Sequence, residues 1–262
     1  MKVLDLFSGI GGFSLGLERA GFETVAFCEI EPYPRKVLAK HWPKVPIYDD
    51  VRRLTAKRLA DDGLCPEVIT AGFPCQDVSI AGKQAGIGEG TRSGLWSEIA
   101  RLIGELRPKY TILENVTALL SGDSGRWFGR ILGDLAEVGY DAEWHCIPAS
   151  AVGAIQRRDR VWIIAYPTEK RAARLITSEH ISQARQGREG GPQNLQYVAE
   201  LAREPGSGRI NALFRRVDDR PAHWVDRVGA CGNAVVPQIP ELIGRAIMEY
   251  ERTCRQKRHV AK

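Results

Sequence analysis

The chain holds no pair of cysteines at the close spacing of a zinc site. Its six cysteines are scattered through 262 residues with no Cys-x-x-Cys among them, so no metal centre is expected. A long apolar run is missing too. Nothing approaches the roughly 18 apolar residues of a membrane span, and Asp5 falls where a secretory leader would stay apolar. These absences point to a cytoplasmic chain with reduced thiols and no membrane partner. The five histidines sit in polar or peripheral stretches, which leaves them out as acid–base candidates. No sign of charge dominates: 37 basic residues face 32 acidic ones, for a net charge of +5. That balance is compatible with a polyanionic partner without being diagnostic of one. No internal repeat is present, so a repeat architecture is excluded.

What is present is a chain that is 44% hydrophobic, enough to bury the core of one main domain with a smaller unit appended. As far as residue 166, short apolar runs alternate with longer amphipathic ones. Strands are expected at 3–7, 24–28, around Ile47, and at 68–71, 110–113, 142–147 and 161–165. Helices are expected at 15–20, 34–40, 95–106 and 128–138. This alternation predicts an α/β domain on a mostly parallel central sheet. Beyond Pro167 the character changes. Residues 168–222 are rich in Arg, Glu, Gln and Gly and poor in apolar periodicity. They read either as a solvated, partly disordered insertion or as a small module whose arginines contact phosphates. Order returns near Trp224, a final amphipathic helix is expected at 237–249, and the tail from Arg252 is basic and frayed. The main domain is therefore expected to comprise 1–166 with 226–252, interrupted by a small region at 167–225 and followed by a basic tail at 253–262.

Asp5-Leu6-Phe7-Ser8-Gly9-Ile10-Gly11-Gly12-Phe13 joins the first strand to the first helix through a glycine cluster. Such a turn lets a ligand approach the backbone closely. About twenty residues on, Glu29 ends the second strand, where a carboxylate can accept hydrogen bonds from both ribose hydroxyls of a cofactor. The pairing fits NAD, FAD and S-adenosylmethionine equally. Asp50, at the end of the third strand, reads either as a helix cap or as an acceptor for an adenine amino group.

Gly72-Phe73-Pro74-Cys75-Gln76 follows the apolar strand 68–71 and leads into a glycine-rich loop that runs to Gly94. A cysteine there is either a small buried hydrophobe or a nucleophile beneath a mobile lid. The length of the irregular loop favours a functional role. Glu114, in Leu113-Glu114-Asn115-Val116, follows the next core strand. Partial desolvation there raises a carboxyl pKa and suits it to proton donation. Gln156-Arg157-Arg158-Asp159-Arg160 precedes the strand at 161–165, and alternation would set Arg158 and Arg160 on one face. They form either a solvated strand entry or a site for a phosphate or a base carbonyl.

In this order and spacing, and with Gly232-Asn233-Ala234-Val235-Val236-Pro237 near the end, the motifs closely resemble the C5-cytosine DNA methyltransferase family. The resemblance covers roughly residues 3–166 and 226–248. It implies a Rossmann-like class I S-adenosylmethionine-dependent methyltransferase fold with a small target-recognition region at 167–225. Phe7, Gly9, Gly11, Glu29, Asp50 and Pro74 would line the S-adenosylmethionine pocket, with Leu95 and Asn233 closing it, and S-adenosylhomocysteine would be the product. Cys75 would attack carbon 6 of a flipped-out cytosine, Glu114 would protonate N3, Arg158 would hold the carbonyl oxygen, and Arg160 would support the site. The last helix would return to pack beside the first glycine turn. The partner would be double-stranded DNA, bound by a monomer, with any cognate restriction endonuclease acting separately.

The match departs from the family in three places. The region before the Gly-Asn segment has only about sixty residues, Arg215 to Arg227 is at best a degenerate form of the family's arginine-rich motif, and Cys231 stands where a leucine is expected. These departures bear on which DNA sequence is read. Among alternatives, an RNA-directed relative would carry Cys-Phe-Thr in its recognition region, which is absent here. A non-enzymatic relative would show damage at Cys75, Glu114 or Arg158, which are intact. A flavin or nicotinamide enzyme leaves those three residues unexplained. Neutralising pairs of arginines within 168–222 should weaken DNA binding and flatten its salt dependence; an unchanged slope in a salt titration would return this segment to a solvated insertion.

Overall fold

The computed structural model describes residues 1–74, 95–154, 157–170, 175–186, 230 and 232–260. Seven strands form one sheet: β1 (Lys2–Leu6), β2 (Glu23–Cys28), β3 (Ile47–Tyr48), β4 (Val68–Gly72), β5 (Tyr110–Val116), β6 (Tyr140–Pro148) and β7 (Asp159–Pro167). Their order is β3-β2-β1-β4-β5-β7-β6. The first five run parallel, while β7 lies antiparallel to both β5 and β6. The expected α/β class with a mostly parallel sheet is thus observed.

Strands covered on both faces read as near-continuous apolar runs. In β7, Val161, Ile163 and Ala165 enter one core while Trp162, Ile164 and Tyr166 enter the other. The first core is closed by α3 (Ala56–Asp61), α4 (Trp96–Leu106) and α5 (Arg126–Glu137). The second is closed by α1 (Gly12–Arg19), α6 (Ser178–Gln186) and the final helix α7 (Gln238–Val260), and α2 (Pro32–His41) follows β2 at the β3 end of the sheet.

Helix α1 and the returning chain meet at van der Waals limits. A Cβ on Gly12 would lie 2.4 Å from the Val235 carbonyl oxygen, and one on Gly16 would lie 2.1 Å from that of Pro237. From the other side, a Cβ on Gly244 would come within 2.8 Å of the Ala20 side chain. Only hydrogen fits at these three positions, so the helices pack backbone to backbone.

Two expectations from the sequence need correction. The final helix does not stop near Glu249 but continues to Val260. Met248 and Tyr250 still pack against the second core, and the Tyr110 hydroxyl donates to Glu251 at 2.8 Å, so tertiary contacts carry the helix past its periodic stretch. Residues 175–182 are also not a solvated run. Leu175 and Ile176 are buried, Ile181 packs against the same core, and the Glu143 carboxylate accepts the Leu175 and Ile176 N–H groups at 2.9 and 3.1 Å. The packed layer therefore extends past the Pro167 boundary read from composition. Of the compositionally distinct region 168–222, residues 171–174 and 187–222 lie outside the described residues. Among the described residues no helix is long and apolar enough to cross a membrane.

Asp5, in the middle strand of the parallel set, is fully buried. Its carboxyl accepts from Thr70 at 2.6 Å and from Ser14 at 2.9 Å. Burial outweighs these bonds and pushes its pKa up from 3.8 to about 7. Between those values the native state keeps a proton that the unfolded chain has lost. Stability therefore falls as pH rises through that window, by on the order of 4 kcal/mol, and the loss is complete above it. Asp5→Asn can satisfy both hydroxyls without a charge, so its urea stability should change less between pH 5 and pH 8 than that of the wild type. A parallel pH dependence in the two proteins would refute this account.

Candidate active site

The C-terminal ends of β1, β2, β4 and β5 lie along one edge of the sheet, where ligands of open α/β sheets bind. After β1 the chain turns sharply. Phe7 and Gly9 both have φ of 52° and Gly11 has φ of 86°. A Cβ on Gly11 would also stand 2.6 Å from the Trp42 ring, so glycine is required there by conformation and by space. The turn is sewn to the end of β2: the Ser8 N–H donates to the Cys28 carbonyl at 3.3 Å, and the Gly9 N–H donates to Glu29 at 2.7 Å. The other oxygen of Glu29 accepts from the Glu31 N–H at 2.8 Å. Each carboxylate oxygen has two acceptor positions, so this buried carboxylate retains capacity for two further donors. Beside it Ile30 is 57% exposed, an apolar surface at the rim that sequence reasoning missed. A Cβ at Gly9 would meet nothing within 4 Å, which leaves its backbone open to a ligand.

Asp50 caps the turn Val51–Arg53 by accepting the Arg52 N–H at 3.0 Å, and it pairs with the Arg52 guanidinium at 2.8 Å. That bond to the guanidinium holds its carboxyl below the usual range. Of the two roles open to it in the sequence, capping is the one its contacts display.

The other half of the site is built from β4 and β5. Gly72 pairs with Glu114 across these strands, and a Cβ on Gly72 would lie 3.6 Å from Glu114 Oε2 and 3.7 Å from both Phe13 and Val235. Elements distant in sequence thus converge on Gly72, beside the Glu114 carboxyl group. The Arg160 Nε donates to Glu114 Oε1 at 2.9 Å. Burial nevertheless raises the Glu114 pKa, against the pull of Arg160 and Arg158.

Arg158 reaches this cluster by a route that strand alternation does not describe. Strand β7 begins only at Asp159, and Arg158 adopts φ of 32°, so a left-handed turn rather than the pleat aims its side chain. Its guanidinium donates to the Gly232 carbonyl, tying the site to the returning segment. Its Nε is buried and has no hydrogen-bond partner among the described residues, and burial lowers its pKa. Pro74 follows β4 after Phe73, Leu95 precedes α4 and packs against the first core, and Asn233 is exposed beside Gly232. Cys75 and the loop to Gly94 lie outside the described residues.

Asn115, which sequence reasoning passed over, is buried. Its side-chain nitrogen donates to the Phe73 carbonyl at 3.3 Å, and its oxygen accepts the Val116 N–H at 2.9 Å. It pins the backbone just before Pro74 and Cys75. The signal for it in the sequence was a polar residue at the end of an otherwise apolar strand. Among the described residues no group of three His, Cys, Asp or Glu side chains could hold a metal ion.

Comparison with known proteins gives a consistent result. The family model described as C-5 cytosine-specific DNA methylase matches residues 1–218. Type II methyltransferase M2.BsuMI of Bacillus subtilis (strain 168) is 37% identical over 184 residues, which is 69% of this chain and 46% of that protein. Type II methyltransferase M.HhaI of Haemophilus parahaemolyticus is 33% identical over 166 residues, 63% of this chain and 49% of that one. Among solved structures, a prophage-encoded E. coli protein described as a DNA modification methyltransferase superposes with a TM-score of 0.58 at 27% identity, covering 68% of this chain and 49% of its own. A Spodoptera frugiperda DNMT2 gives 0.55 at 20% identity over 68% and 53%, a likeness of fold. The chain spans about half the length of the curated relatives it matches.

Replacing Asn115 by Ala leaves the Phe73 carbonyl and the Val116 N–H without their partner. The expected cost is about 1–3 kcal/mol, read as a lower urea midpoint with an unchanged slope. Wild-type stability in this variant would show that the Asn115 bonds are dispensable.

Proposed function

From the premise that the chain belongs to the C-5 cytosine-specific DNA methylase family, we propose that it transfers a methyl group from S-adenosylmethionine to carbon 5 of cytosine in double-stranded DNA. The observation that carries this reading is the buried Glu114, with a raised pKa, flanked by two arginines and facing the end of the strand that leads into Pro74-Cys75. Such a group delivers a proton to a ring nitrogen while Arg158 beside it holds the carbonyl oxygen of the base.

The cofactor fits the residues present. Glu29 has acceptor capacity for two ribose hydroxyls, Ile30 offers an apolar surface for an adenine ring, and the Gly9 backbone is open to close approach. Phe7, Gly11, Pro74, Leu95 and Asn233 would complete the pocket, and Asp50 would take the adenine amino group in exchange for part of its contact with Arg52. When bound, S-adenosylmethionine supplies an electrophilic methyl group.

Aromatic carbon 5 is a poor nucleophile. In the proposed reaction the Cys75 thiolate adds to carbon 6, the ring electrons shift toward N3, and Glu114 gives N3 its proton. Carbon 5 thereby gains enamine character. Arg158 binds the carbonyl oxygen of the base and Arg160 keeps Glu114 oriented. After carbon 5 takes the methyl group, a base removes the carbon 5 proton, the thiolate leaves carbon 6 and N3 returns its proton to Glu114, so one difficult step is divided into easier ones. Reaching carbons 5 and 6 together requires the cytosine to leave the stack, so the base is flipped out. The relatives named as Type II methyltransferases support reading the chain as the modification half of a restriction–modification pair; in this reading it works as a monomer, apart from its nuclease.

The test is incubation with methyl-labelled S-adenosylmethionine and mixed genomic DNA, beside Cys75→Ala, followed by digestion to nucleosides. Label is expected in 5-methyldeoxycytidine and is expected to vanish in the variant. Glu114→Gln should lower the single-turnover rate by about 10²–10⁴-fold. Absence of label in DNA, despite measurable cofactor binding, would overturn the reading.

A further inference from the structure

The stretch 32–48 contains Arg35, Lys36, Lys40 and Lys44 and no Asp or Glu. Several basic side chains elsewhere find acids: Arg52, Arg53, Lys57, Arg101, Lys109 and Arg126 each reach a carboxylate within 2.9 Å. The four cations of this stretch make no ion pair with any described carboxylate, although Lys36, Lys40 and Lys44 are exposed. The acids nearest in the chain are largely committed. Asp49 and Asp50 are held by Arg53 and Arg52, and Glu18 accepts from Trp42. Glu31, at the start of α2, is the exception. Along α2, Pro32, Arg35, Lys36 and Ala39 share one face and, with Ile47 of β3, line an open groove of about 320 Å³.

Placement decides what this surface can meet. Helix α2 begins where β2 ends, so its first turns lie at the same sheet edge as Glu29 and Glu114. Strand β2 is three strands from β5, roughly 14 Å at the usual spacing. Along a duplex that distance is about four or five base pairs. We infer that the α2 surface is a second DNA contact, in which Arg35 and Lys36 in the groove, with the exposed Lys40 and Lys44 continuing the patch beyond it, hold the phosphodiester backbone flanking the target base. The inference rests on the reading of the chain as a DNA-modifying enzyme, and charge complementarity selects the occupant. Uncompensated cations in and beside an open groove bind a polyanion by releasing its counterions, and the duplex entering the site is the polyanion at hand.

The test is fluorescence anisotropy with a labelled 30-base-pair duplex of random sequence, titrated at several salt concentrations. The variant Lys36→Gln/Lys40→Gln/Lys44→Gln should bind more weakly. The slope of log K against log salt should become shallower by about 0.9 for each phosphate that the variant no longer neutralises. The control Lys57→Gln/Lys109→Gln removes cations already paired with acids, so its slope should match the wild type. Melting temperatures and S-adenosylhomocysteine affinity report whether each variant is folded. A wild-type slope in the triple variant overturns the inference, and so does an equal loss in the control. If polyglutamate binding falls in the triple variant while duplex binding does not, the groove takes an acidic peptide and the DNA assignment is wrong. Label transfer to genomic DNA separates the two readings. Transfer together with an unchanged slope removes only this second DNA site, whereas a wild type that neither binds duplex nor transfers label removes both.

Discussion

The contact between α1 and the chain that returns at residues 235–244 is the constraint on which the site depends. Hydrogen alone fits at Gly12, Gly16 and Gly244, so the backbones approach far more closely than side chains would allow. That approach sets Val235 beside Gly72 and Phe13, and it leaves the Gly232 carbonyl where Arg158 can bond it. A single methyl at Gly16 would collide with the Pro237 carbonyl, which cannot give way without moving the whole helix. The two ends of the chain thus form one wall of one pocket.

The electrostatics of Glu114 follow from how that wall is built. Two guanidiniums close to one carboxylate would ordinarily depress its pKa. Here only Arg160 donates to it directly, while Arg158 is committed to a backbone carbonyl. Loss of solvation therefore outweighs the attraction, and the carboxyl keeps its proton above the usual range. The raised pKa of Asp5 has the same origin, but its partners are hydroxyls. One group is held beside the open edge and the other is sealed behind it.

Much of this was legible in the sequence because the signals were local. The Val161–Ala165 portion of β7, the glycine turn, Glu29 and Glu114 were read from apolar runs and the residues that end them. What was missed depends on contacts between distant segments. Leu175 and Ile176 look like strays in a polar stretch until Glu143, on an edge strand, accepts their backbone N–H groups. The length of α7 is set partly by Tyr110 on β5. Asn115 reads as one letter of a motif, yet its bond to Phe73 joins two strands. The left-handed turn at Arg158 has no signature in residue type, since arginine rarely adopts it.

The glycine-lined contact also sets an order of events during synthesis. Helix α1 leaves the ribosome early, but its covering partner lies some 220 residues later in the chain. At about 5–20 residues per second this interval is on the order of ten to forty seconds. Throughout it, the face carrying Phe13, Leu17, Ile112 and Trp162 has no α7 to cover it. The first core, whose described members end at Ala165, can close before that. The nascent chain is therefore half finished in a definite sense, with one side of its sheet packed and the other an apolar surface that must stay clear of its neighbours until the last helix arrives.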